Sequence, residues 1–130
     1  MKYRLDQSTQ RARALLNING LISKHNHKVL NTELQEIFKN NGIVCLTETW
    51  GSYELCFDVE NFSYYELHRS EKSKGARRNS GGIIVYIRNT LLIDSDIKNS
   101  IVLTYKDSHI WFKLDKSVFL TRICMYAYVI

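Results

Sequence analysis

Two short polar groups, each ending an apolar run, carry the residues best suited to chemistry. "NINGLISK", residues 17–24, follows Ala14, Leu15 and Leu16, and opens with Asn17 and Asn19. "CLTETW", residues 45–50, brings Glu48 out of a second run. A carboxylate beside a carboxamide is a hard, oxygen-only donor pair. Magnesium suits it, because that ion takes one or two carboxylates, keeps several waters and meets substrate phosphate. A second reading needs no ion. Asn17 and Asn19 then form side-chain turns, and Glu48 is solvated.

The elements between them decide whether the two groups meet. "ARALLN", residues 12–17, reads as a strand. "VLNTELQEIFKNNG" reads as a helix, with Leu30, Leu34, Ile37 and Phe38 at helical spacing. Thr32 with Gln35 makes a capping box, and Asn31 offers an alternative start. Asn40, Asn41 and Gly42 end the helix, with Gly42 expected in the left-handed conformation. "IVCLTE", residues 43–48, reads as a strand buried on both faces. Strand, helix and strand in succession form a βαβ unit with parallel strands and a right-handed crossover. Polar sites gather outside the carboxyl ends of such strands. Asn17 and Glu48, 31 positions apart, should therefore open onto one sheet edge.

The rest of the chain is β-rich. "FSYYELHR" from Phe62, "GGIIVYIRN" from Gly81, "SIVLTY" and "HIWFKLD" all read as strands. In the last of these, Ile110, Phe112 and Leu114 share a face. "FLTRICMYAYVI" closes the sequence in mid-run. Such a strand is expected to be central, with partners on both sides, so the sequence is expected to stop inside a fold. Between His68 and Arg78 lie Arg69, Lys72, Lys74, Arg77 and Arg78 against the single acid Glu71. This cluster attracts polyanions. On charge alone, a solvated loop fits equally well.

With 130 residues and 45% hydrophobic content, the chain can pack one core and is not disordered. It contains no proline, against ordinary usage of about 5%, so a proline-rich linker is excluded. The net charge is +5 and the pI about 9.2. Cys45, Cys56 and Cys124 show no Cys-x-x-Cys spacing, which suits a reducing, intracellular setting. No apolar run follows Met1 and Lys2, so no secretory leader is expected, and no stretch approaches the ~20 apolar residues of a membrane span.

"LLNINGL", "IVCLTETW", "GGIIVYIRN" and "HIWFKL", in that order, resemble the first half of an endonuclease/exonuclease/phosphatase domain. The nearest subgroup is the apurinic-type endonucleases of LINE-like, non-LTR retrotransposons. The resemblance runs from about residue 11 to residue 130. It implies an α/β, DNase I-like fold: a partial four-layered αββα sandwich, truncated after its first half, with residues 1–130 as that half and no second domain. It also implies hydrolysis of phosphodiesters in DNA with one magnesium or manganese ion, and a nuclear location. Asn17 would orient groups around the metal and the scissile phosphate, with Asn19 in support. Glu48 would bind the metal. Tyr128 would open the family's Tyr-x-Pro strand end and approach the phosphate. Arg69, Lys72, Lys74, Arg77 and Arg78 would face DNA.

The departures matter as much. The family's Gly-Asp-x-Asn strand end and its late Ser-Asp-His are absent from residues 1–130. These residues alone are therefore expected to be inactive, their catalytic partner being a missing C-terminal half. "DSHIW", residues 107–111, has the wrong order and opens an early strand, so His109 is not the general base. His25 and His27 read as solvated, Trp50 as a partly buried anchor, and Trp111 as core. A competing reading is a non-catalytic nucleic-acid-binding module built on loop 68–78 with Tyr64 and Tyr65. A third is a functionless remnant. The choice among abasic DNA, target-site DNA, RNA and phosphoinositide stays open.

Overall fold

The computed structural model describes residues 13–18, 20, 22–23, 26–27, 31–50, 58–67, 81–92, 96–105, 109–113 and 124–128. β1 (Arg13–Asn17) and β4 (Ile43–Thr47) run parallel, in register from Arg13 opposite Ile43 to Asn17 opposite Thr47. Parallel neighbours need a crossover. Here it contains a small hairpin of β2 (Ile22–Ser23) with β3 (Asn26–His27), then helix α1 (Thr32–Asn40). β5 (Phe62–Leu67) and β6 (Ile83–Arg88) complete a four-stranded mixed sheet in the order β1-β4-β6-β5. β6 is antiparallel to both neighbours. β7 (Ile101–Tyr105), β8 (His109–Lys113) and β9 (Cys124–Tyr128) form a separate antiparallel sheet with β8 in the middle. The chain is mixed α/β.

The period-two alternation of β4 and β6 sends apolar residues to both sides of the sheet, and both sides are covered. On one side Leu34 and Phe38 of α1, four residues apart, pack on Val44, Leu46, Ile84 and Tyr86. Phe38 meets the Tyr86 and Phe62 rings edge-on, at centroid distances of 5.0 and 5.2 Å. Such pairs add about 0.5–1.5 kcal/mol beyond burial. On the other side Ile43, Cys45, Val85 and Ile87 meet Ile110 and Phe112 of β8. Ile110 and Phe112 thus share a buried face, as their spacing requires; Leu114 lies outside the described residues.

α1 begins at Asn31, whose side-chain oxygen accepts from the Glu33 amide at 2.8 Å. Asn31, rather than Thr32, is the N-cap. The helix ends differently from expectation. Asn41 is extended, with φ −133°, and Gly42 is not left-handed. The Asn41 side chain donates to the Ile37 carbonyl at 2.8 Å, and Arg88 donates to later carbonyls, so no left-handed turn is needed.

β1 buries one face: Ala14 and Leu16 join the helix-side core, while Arg13, Leu15 and Asn17 are exposed. Among the described residues β9 pairs with β8 alone. The expected loop before the helix contains a short strand pair, with His27 in β3; His25 and Leu30 lie outside the described residues. No helix among the described residues is long and apolar enough to cross a membrane.

Candidate functional site

Strand direction brings three chain ends to one edge of the mixed sheet. β1 ends at Asn17, β4 ends at Thr47 beside it, and antiparallel β6 begins at Ile83, opposite Thr47. Glu48 is the next residue on β4. Asn17 and Glu48 therefore leave neighbouring strands on the same edge, as the crossover predicts.

The backbone then stops being regular. Glu48 has φ +54° and Trp50 φ +53°, both in the left-handed region that side chains other than those of glycine and asparagine seldom adopt. These turns interlock the three strand ends. The Ile18 amide donates to the Thr47 carbonyl at 3.1 Å and the Gly20 amide to the Glu48 carbonyl at 2.7 Å. The Trp50 amide donates to the Gly81 carbonyl at 3.0 Å. Pairing among β1, β4 and β6 thus continues past their formal ends at this edge.

The Glu48 carboxylate is held from two directions. Its Oε2 accepts from the Trp50 indole Nε1–H at 2.9 Å and from the Gly81 amide at 3.1 Å. Both of these bonds fall on Oε2, and none falls on Oε1 among the described residues. The Trp50 ring sits on Gly20, at φ +92°, where an added Cβ would stand 2.4 Å from the ring. Only glycine lets the ring lie there. Trp50 is thus the partly buried anchor expected. Thr49, between the two left-handed residues, is 1% exposed, and its hydroxyl has no partner among the described residues. A buried, unpaired hydroxyl is a cost that few turns carry.

This edge carries the Glu48 carboxylate and, on the neighbouring strand, Asn17 opposite Thr47, side chains that offer oxygen to a metal. That chemistry fits a hard divalent cation whose remaining positions are filled by water and phosphate. No group of three or more His, Cys, Asp or Glu side chains assembles among the described residues.

The other candidates fall as follows. Tyr128 ends β9, with its backbone opposite His109 of β8; its side chain is outside the described part. Asn19, Arg69, Lys72, Lys74, Arg77 and Arg78 lie outside the described residues, as does the side chain of Trp111. The two anchors of the basic segment are described. Leu67 ends β5 opposite Ile83, and Gly81 bonds Glu48, so the segment leaves and returns at the edge that carries Glu48.

Sequence reasoning missed Gly20, Gly81 and the role of the Trp50 indole. The available signal was glycine flanking each strand end: Gly20 after β1, and Gly81–Gly82 before β6, at φ +74° and +94°. No protein-family model matches the chain, and no curated protein matches it.

Proposed function

We propose that these residues form the first half of a DNase I-like αββα sandwich of the endonuclease/exonuclease/phosphatase type. The domain's chemistry would be magnesium- or manganese-dependent cleavage of DNA phosphodiesters, in the manner of retrotransposon endonucleases. One observation carries the reading: Asn17 and Glu48 leave adjacent parallel strands, joined by a helical crossover, at one sheet edge. The layering supports it too, since α1 covers one side of the mixed sheet and β8 the other.

In this reading Glu48 Oε1 holds the cation, and Asn17 orients the phosphate beside it. The basic segment 68–78, tethered at both ends to this edge, holds the DNA backbone. A bound divalent cation would polarise the phosphate and offset its developing charge. Water activation needs a general base, and the Ser-Asp-His and Gly-Asp-x-Asn strand ends that supply it in the family are absent from residues 1–130. On their own, these residues bind DNA and metal without hydrolysis.

The test is twofold. Purified chain should bind Mn²⁺, measured as loss of the free-ion EPR signal, and Glu48→Gln should abolish that binding. The same chain should leave supercoiled plasmid intact in Mg²⁺. Absence of Glu48-dependent Mn²⁺ binding would sink the metal-site reading. Mg²⁺-dependent nicking that disappears in Glu48→Gln would instead show that these residues need no second half.

A non-catalytic nucleic-acid-binding module is the second reading. Its favouring observation is the same tether of segment 68–80 between Leu67 and Gly81, which requires no metal.

A further inference from the structure

We infer that Trp50 is a positioning residue that fixes which oxygen of Glu48 meets a cation. The inference rests on the reading of Glu48 as a metal ligand. Of the two carboxylate oxygens, Oε2 receives both donors, the Trp50 indole at 2.9 Å and the Gly81 amide at 3.1 Å. Among the described residues Oε1 alone is without a donor, so Glu48 binds through that one oxygen. A carboxylate with both oxygens free could rotate and bind through either or both.

The device is built from three chain segments. Trp50 reaches Glu48 only because its backbone is left-handed at φ +53°. Its ring is held by the bare backbone of Gly20, at the end of β1. Its own amide is tied to the Gly81 carbonyl at 3.0 Å, and the Gly81 amide returns to Glu48. Glu48, Trp50 and Gly81 thus close a ring of three hydrogen bonds, braced by Gly20. An indole N–H is a donor without an acceptor role, so it addresses only the charged or lone-pair side of its partner. Groups that orient a metal ligand from behind typically change metal affinity by 10- to 100-fold when removed.

The test uses the full 130-residue chain and Mn²⁺ as probe. Trp50→Phe keeps an aromatic ring at this position and deletes the N–H together with part of the indole bicycle that lies on Gly20, so the metal-free melting temperature serves as the control for lost packing. The substitution should weaken Mn²⁺ binding by about 10- to 100-fold while the metal-free melting temperature stays close to that of the parent. A second measurement needs no substitution. Titration of ¹⁵N-labelled parent chain with Mg²⁺ should shift the Trp50 indole N–H and the Gly81 amide along one saturable curve, absent in Glu48→Gln. If Glu48→Gln abolishes Mn²⁺ binding but Trp50→Phe leaves it unchanged, or if those two N–H signals do not move, Trp50 has no positioning role and the metal site stands. If Glu48→Gln changes nothing, the metal site itself is wrong and the inference falls with it.

Discussion

The guanidinium of Arg88, in β6, donates to the Phe38 carbonyl at the end of α1, at 2.8 Å, across 50 positions of sequence. The same nitrogen donates to the Asn41 carbonyl at 2.9 Å, and the cation lies 4.6 Å from the centre of the Phe62 ring. Arg88 is 6% exposed, so it closes the helix from inside the protein. A cation at this end also complements the helix dipole.

Arg88→Met is expected to destabilise the fold by about 1–3 kcal/mol, because it strands two carbonyls. The lower part of that range is favoured, since Arg88 Nε is itself buried with no partner among the described residues, and methionine removes that cost. Urea unfolding followed by circular dichroism measures it. A loss below about 0.3 kcal/mol would mean that water replaces Arg88 at the helix end.

Gly20→Ala is expected to disturb the site and the fold together. Its Cβ would meet the Trp50 ring at 2.4 Å, from a backbone at φ +92°. Overpacking of this kind costs about 1–3 kcal/mol, and the ring, at the rim, is the part that yields. Trp50 emission should shift to longer wavelength in Gly20→Ala, read in a Trp111→Phe background. An unshifted spectrum would place the ring elsewhere.

Cys45 is buried among the strands, and burial pushes its thiol from the ordinary 9.0 up to about 12. In the folded chain it should resist iodoacetamide under mildly alkaline conditions and react only on unfolding. The pH dependence follows from the raised value. Below about pH 9 the thiol is protonated in both states and its contribution is intact. Between about 9 and about 12 the unfolded chain ionises first, so stability falls as pH rises. Peptide mapping after labelling reads the first expectation, and unfolding at several alkaline pH values in the parent and in Cys45→Ala reads the second.

Binding to duplex DNA should weaken linearly in log salt. Replacing Arg77 and Arg78 with serine should reduce the slope by about 1 for each phosphate no longer neutralised. Glu48→Gln should leave that slope unchanged. Fluorescence anisotropy at several salt concentrations measures both. A slope untouched by the arginine changes would remove segment 68–78 from the interface.

How much of this was legible in the sequence depended on how local each cause was. β4 and β6 were plain because their apolar runs are unbroken, and both are buried on both faces. The parallel pairing of β1 with β4 followed from the crossover, and it placed Asn17 beside Glu48 without further information. The end of α1 was misread because its carbonyls are satisfied by Arg88, 47 and 50 positions away, rather than by a local glycine turn. The β2–β3 pair is too short and polar to show a period. The bonds around Glu48 were hidden for a related reason. Gly81 is 33 positions away, and glutamate and tryptophan are poor candidates for left-handed backbone.

The left-handed turn also governs how the protein can change. Left-handed residues other than glycine cost of order 1–3 kcal/mol each. Glu48 and Trp50 both take such a conformation, so glycine at either position relaxes the turn while deleting a carboxylate or an indole. Heat resistance and ligand chemistry therefore pull this turn in opposite directions. A library selected for thermal survival alone should drift toward glycine at 48 and 50. A library selected for cation binding should keep both side chains and find its added stability elsewhere.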